Sequence, residues 1–392
     1  TGSITLNGNI TQGGGGQGSE GVVFKGPVII AEGQSITITT DGGGTDGEVT
    51  FTGSGSTISG VNGNAAENLT INSGKGDVTL AGIVGGTSTT GIGTLKINAD
   101  SNGANFDGDI TIAAIGTKGG SAVQGATTVT LGNTGTEALA LTGAAYNTGA
   151  ATYESKAGDK ITLSGASPEF ITNGSAISFL SGNVGLADDA HLTVTSTGGA
   201  ITVAGTIKGT DAETVTLNAG TTGGNTDTVT VAGIGGGNQI HQVTLTAADG
   251  ITLNGSITTS DDASSEVTIT GPVALATGAI TIDTNTANND GTIKFSGSTS
   301  TIGGTQELTL DSGSGAITLD GAIGTVGGVL TGLNINHQDG DASNTGAIEI
   351  ANIGTGSTAG VGGGVSIGNA NTSSLTLDGT LYLTNGTTVY EA

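Results

Sequence analysis

The oxygen-bearing side chains of the segment ADSNGANFDGD raise the first chemical question. Asp100, Asn102, Asn105, Asp107 and Asp109 fall at short, mostly alternate spacings around a glycine. A hard cation such as Ca2+ takes a set of this kind, roughly six to eight oxygens from carboxylates, amides and carbonyls. The segment is not an EF-hand, because the glutamate that closes that loop is missing. HQDGDASN offers Asp339, Asp341 and Asn344, and DGGGTDGE offers Asp41, Asp46 and Glu48. The last is Gly-rich like the nonapeptide calcium repeats but lacks their GGxGxD register and tandem iteration. Two readings stay open: calcium bound at one or more turns, or solvated acidic turns that hold nothing.

Catalytic chemistry finds less to work with. His191, His241 and His337 lie far apart, with no HExxH spacing, and read as surface turn residues. Cleaving a glycan needs clustered carboxylates or a cationic side chain at the developing charge, with aromatic platforms for the sugar rings. The chain has no Trp and four Tyr, and its eight basic residues are all lysine. The expectation is that it is not an enzyme.

Such turns have to be positioned by something, and the residues between them give one answer throughout: a short alternating strand, a Gly or Asn/Asp turn, and another strand. One phrase recurs as GSITLNGNI from Gly2, GDVTLAGIV from Gly76, GDITIAAIG from Gly108, GAITVAGTI from Gly199, GITLNGSI from Gly250, GAITLDGAI from Gly315 and GAIEIANIG from Gly346. Between its copies runs a second phrase, ENLTINSG, GTLKINAD, ETVTLNAG, QELTLDSG or TGLNINHQ. Aliphatic residues two apart, such as Ile251 and Leu253, share one face, and the Thr between them takes the other. Strands of three to five residues make poor hairpin sheets, but they suit a coil in which each strand pairs with its equivalent one turn later. The predicted fold is an all-β parallel β-solenoid, one continuous solenoid over 1–392, with repeats of roughly 25 to 40 residues. Its corners call for φ > 0, which Gly and recurrent asparagines such as Asn72, Asn98, Asn218 and Asn254 supply at low steric cost. Tandem β-sandwich domains are the alternative, disfavoured by the missing buried Trp and by the lack of a repeat near 90 to 100 residues.

Composition bears on partners. Of 392 residues 77 are Gly, and 8 Lys against 33 Asp+Glu leave a net charge of −25, which repels nucleic acid and anionic lipid. Disorder is disfavoured, since charged residues are only 10% and the aliphatics alternate strictly. No apolar run is long enough for a membrane span. The absence of Met from Thr1 onward predicts a mature chain from which an N-terminal export signal has been removed. From 144 to 182 the rhythm changes. Tyr146, Tyr153, Phe170 and Phe179 gather there with Pro168, Lys156 and Lys160, predicting an irregular insertion or lateral loop whose aromatics form a satellite core.

Strings such as GDVTLAGIVGGTSTTGIGTLKINAD, from Gly76 to Asp100, resemble the repeats of large exported bacterial surface proteins, the filamentous-haemagglutinin-like or autotransporter-associated repeat type. The resemblance covers nearly the whole chain and implies an extracellular, right-handed β-helix used as a stalk or fibre. The chain is shorter than that group and shows neither a secretion domain nor a C-terminal barrel, so the resemblance carries over no secretion route. The expected function is structural: a subunit of an extracellular or cell-surface filament, its partner another copy of itself joined head to tail. TGSITLNGNI at one end and SSLTLDGTLYLTNGTTVYEA at the other both read as core phrases with edges ready to pair. The alternative is an adhesin stalk or binding module that recognises glycans or surface ligands.

Overall fold

The structure is a computed structural model. It describes residues 2–12, 20–42, 46–61, 66–86, 90–99, 106–119, 125–210, 212–224, 226–237, 239–260, 264–285, 290–324, 328–337 and 344–392. The described residues form 35 strands and no helix. They fall into two compact units, Thr1–Gly205 and Thr206–Ala392, each a parallel β-solenoid, with about 13 turns in all.

Every turn crosses three faces, a number the sequence does not reveal. In the first unit, face I stacks Ile4, Val28, Ile58, Val84, Ile115, Tyr146, Phe170 and Val194 in register. Face II stacks Ile10, Ile38, Ile71, Ile97, Leu131, Tyr153 and Phe179. Face III stacks Phe24, Phe51, Leu80, Ile112, Leu141, Leu163 and Leu186. The second unit also stacks three faces, numbered separately. Its face I runs Val229, Ile251, Val273, Ile302, Ile323, Ile353 and Tyr382. Its face II runs Ile234, Ile257, Ile282, Leu310, Ile335, Ile367 and Tyr390. Its face III runs Leu217, Leu245, Ile269, Phe295, Leu319, Ile350 and Leu377.

The period-2 alternation produces this arrangement directly. Leu253 and Leu319 are buried, while Thr252 and Thr318 between core positions are half-buried and Thr5 is exposed. Each fully buried aliphatic side chain contributes about 1.5–3 kcal/mol. A parallel pair ordinarily needs a long crossover, and here the rest of the turn supplies it. Turn length varies: the turn from Leu141 to Leu163 is shorter than the expected repeat, whereas that from Leu80 to Ile112 lies within it.

Segment 144–182 departs from expectation. It is not a loop laid over the solenoid, because Ala145–Leu163 is a single strand that bends through all three faces and pairs in parallel on both sides. Its irregularity is a bulge: from Glu154 to Gly158 it advances four residues while its neighbour advances two, from Leu180 to Gly182. The aromatics are core residues, all four fully buried. Tyr146 stacks on Phe170 at 4.6 Å and Tyr153 on Phe179 at 5.1 Å, and the two columns meet edge to face. Rings two turns deep fit because stacked aromatics repeat at close to the strand spacing.

Corner chemistry also differs from expectation. Of the recurrent asparagines only Asn98 has positive φ, at 46°; Asn72, Asn218 and Asn254 do not. Many glycines serve close approach rather than positive φ. A Cβ on Gly76 would lie 2.2 Å from the carbonyl oxygen of Gly47, and one on Gly108 would lie 2.2 Å from that of Gly76. The second unit repeats this column, with Gly315 against Gly291 at 1.9 Å and Gly346 against Gly315 at 1.8 Å.

Candidate functional site

Of the predicted calcium ligands, Asp100, Asn102 and Asn105 lie outside the described residues, as do Asp339 and Asp341. Asp107 and Asp109 are described. Asp107 sits 3.8 Å from the Lys75 ammonium, both side chains well exposed. The backbone N–H of Asp109 donates to Asp77 Oδ1 at 2.9 Å, one turn earlier. Burial, then the charge of Asp77, raises the Asp109 carboxyl above the usual range, and the ammonium of Lys160 opposes that shift. Glu137 accepts from Lys160 at 2.7 Å and Lys156 at 3.0 Å, and these bonds hold its carboxyl below the usual range. The corner is thus an acidic column threaded with the chain's own lysines. Asp46, from the third predicted cluster, accepts from the backbone of Lys75 at 2.8 Å and of Gly42 at 3.2 Å. Among the described residues no three His, Asp or Glu side chains converge as a metal's ligands would.

The second unit holds an equivalent corner with different charges. Asp290 accepts from the backbone of Ser314, as Asp46 does from Lys75. Asp283 pairs in register with Asp311. Asn285 donates to Asp311 Oδ1 at 3.0 Å and to Asn344 Oδ1 at 3.1 Å. Burial, with the Asp311 and Asp290 charges adding to it, raises the Asp283 carboxyl.

Such correspondences extend over most of both units and reveal a long internal repeat. Ser73 Oγ donates to Gly76 O, Asn98 Nδ2 to Ser73 Oγ, and Asn133 Nδ2 to Asn98 O, at 2.6, 2.9 and 2.6 Å. Ser312, Gly315, Asn336 and Asn369 repeat the three bonds at 2.6, 3.1 and 2.9 Å. Asn98 and Asn336 are buried with φ 46° and 43°, and each accepts at Oδ1 from the backbone N–H of its serine, at 2.9 and 2.8 Å. Gly26 N–H donates to Ser56 Oγ, and Gly271 N–H to Ser300 Oγ, both at 3.0 Å. Tyr146 Oη accepts from Gly143 N–H and donates to Ile112 O; Tyr382 Oη does the same with Gly379 and Ile350. The signal was present in the sequence: all four tyrosines belong to this repeat, Tyr146 and Tyr153 in one copy and Tyr382 and Tyr390 in the other.

At the first and last turns apolar residues face outward along the stacking direction. Ile4 is 37% exposed, Leu377 40% and Tyr390 38%, whereas the stacked residues of the inner turns are buried. His191, His241 and His337 are half-buried, and His241 Nε2 lies 3.2 Å from Ser264 Oγ. No helix is long and apolar enough to cross a membrane. No protein-family model, curated protein or solved structure matches the chain.

Proposed function

We propose that the chain is a structural subunit of an extracellular or cell-surface filament, joined head to tail through its terminal β-strands, and not an enzyme. The observation that carries this is the pair of outer turns. Each presents three faces, with strand edges suited to parallel pairing and apolar residues exposed at them. Pairing them would bury that surface and satisfy the backbone groups of both edges. A contact between two different edges does not close on itself and so propagates. Export as a bacterial surface protein fits the cysteine-free, arginine-free, acidic composition. Calcium held by side chains of residues 100–109 belongs to the same proposal, as a counter-charge to −25; excess chelator lowering the melting temperature supports it, and an unchanged one sinks it.

Negative-stain microscopy and sedimentation of the 392-residue protein test the assembly. Filaments with a regular axial repeat are expected. Monomers that bind immobilised glycans would move the reading to an adhesin module, and turnover on polysaccharides would move it to an enzyme.

A further inference from the structure

The triplet Asn-Gly-Ser occurs twice, in inner turns at Asn173 and at Asn254, and the fold holds its two copies differently. Asparagine before glycine is open to a reaction that needs no enzyme. The glycine nitrogen attacks Cγ of the asparagine, the Cγ–Nδ2 bond breaks, ammonia leaves, and a five-membered succinimide ring remains. Water then opens the ring to aspartate or to isoaspartate, in which the main chain runs through the former side chain. Glycine helps because it has no Cβ to crowd the ring. The asparagine must also turn about ψ until that nitrogen faces Cγ, and a peptide bonded to its neighbours can turn only after local opening.

Asn254 and Gly255 are gripped from both sides. The Asn254 N–H donates to Val231 O of the preceding turn at 2.9 Å, and Asn254 O accepts from Thr277 Oγ1 of the following turn at 2.7 Å. Ser256 Oγ accepts from the N–H of Thr281 at 3.0 Å. A Cβ on Gly255 would run into Ala232 O, so the chain there lies directly against the preceding turn. Asn173 and Gly174 stand clear instead. Ile177 follows Thr172 by five positions, whereas their partners in the preceding turn, Thr148 and Ala151, are three apart, so the corner carries two extra residues. Asn173 and Gly174 are exposed, and a Cβ on Gly174 would meet only Thr197 O, at 3.7 Å. Among the described residues nothing bonds to the Asn173 side chain, to its carbonyl or to the Gly174 N–H. The base of the corner is tied, since Ser175 O accepts from Thr172 Oγ1 at 2.6 Å and from Ser196 Oγ at 2.8 Å.

We infer that Asn173 is a modification site, converting spontaneously to isoaspartate and aspartate in the folded protein, and that the fold protects Asn254 in the same triplet. Either product adds a carboxylate, and isoaspartate also adds one methylene to the main chain. The corner projects and its base is tied at Ser175, so the strands on either side keep their register and the mark is carried on the surface of an intact solenoid.

The shared triplet makes Asn254 an internal control. Folded protein is incubated at mildly alkaline pH, and both sites are followed by peptide mapping, with mass-spectrometric fragmentation that tells isoaspartate from aspartate. Asn173 is expected to convert at least about tenfold faster than Asn254, each factor of ten corresponding to about 1.4 kcal/mol of opening. In urea the two rates should converge, and the melting temperature of the folded protein should hold as Asn173 converts. Equal rates in the folded protein, a faster Asn254, or an Asn173 that stays intact while the unfolded chain converts would overturn the assignment. A melting temperature that falls with conversion would overturn the placement of the mark outside the stack.

Discussion

The coils from Leu69 to Tyr153 and those from Leu308 to Tyr390 are two solutions to the same stacking problem, and their differences separate what the fold requires from what it tolerates. Both keep the serine–asparagine–asparagine chain, the tyrosine whose hydroxyl closes a corner, and the glycine column against the previous carbonyl. All three satisfy or admit buried backbone, where an orphaned polar group or an extra methyl is costly. The solvent side has diverged. Lys75 at the acidic corner has become Ser314, Lys96 has become Asn334, and the carboxylate pair Asp283–Asp311 stands where the first copy has Thr39 and Asn72. Covering differs as well, since the first copy's tyrosines lie under two phenylalanines and the second copy's do not.

The sharpest way to break this comparison is at the aromatics. Phe170→Ala leaves a cavity between Tyr146 and Val194 and should cost about 3–5 kcal/mol, whereas Tyr390→Ala, at a half-exposed ring, should cost well under half of that in the monomer. Chemical denaturation of both variants measures it, and equal losses would mean that the two tyrosine pairs are covered alike. Next are the asparagines. Asn98→Ala removes two side-chain hydrogen bonds from a buried corner and Asn336→Ala removes three, and both force alanine into positive φ, for a loss of about 3 kcal/mol apiece. Similar values at the two sites would confirm that the repeat is energetic as well as geometric.

Acid response should differ in sign between the copies. Asp283 has a raised folded-state pKa, so the folded state holds the proton more tightly; the benefit is present at low pH and is lost as pH rises from 3.8 through the raised value. Glu137, lowered by its two lysines, works the other way: its contribution is present above 4.5 and is lost as pH falls. Asp283→Asn should therefore raise the melting temperature at neutral pH, and Glu137→Gln should leave it unchanged or lower it slightly, as thermal melts across pH 3 to 8 would show. The smallest effect belongs to the outer face. Thr252→Val and Thr318→Val should stay within about 0.5 kcal/mol of the parent, against about 2–5 kcal/mol for Leu253→Ala or Leu319→Ala; parity between the two classes would mean that the alternation has been assigned backwards.

The parallel solenoid was legible because Ile251–Leu253 or Ile317–Leu319 can bury only alternate side chains, and both phrases bury the first and the third. The number of faces was hidden, since turns of unequal length blur the period. Segment 144–182 was misread because tyrosine and phenylalanine look foreign among valines and isoleucines; the relevant property was their phase, in which Tyr153 and Phe179 stand on the rungs of Ile97 and Leu131. Asn98 looked like a turn residue and is one, but its burial depends on Ser73 and Asn133 in adjacent turns, a relation that a single phrase cannot show. At the acidic corner the sequence found Asp107 and Asp109 but missed the lysines from other turns that share it.

The glycine columns have a bearing on how the chain finds its structure at all. Rungs this alike invite misregister, because a strand that slips by two residues along its neighbour would still present Ile or Leu to the core and lose little burial. Glycine at Gly47, Gly76 and Gly108 makes such an error costly. Such a slip would put a side chain such as that of Val78 or Ile110 where a carbonyl oxygen leaves room only for hydrogen. Those positions act as a proofreading mark, accepting each new turn only in step with the one beneath it, and so hold a repetitive polypeptide in register as it winds up.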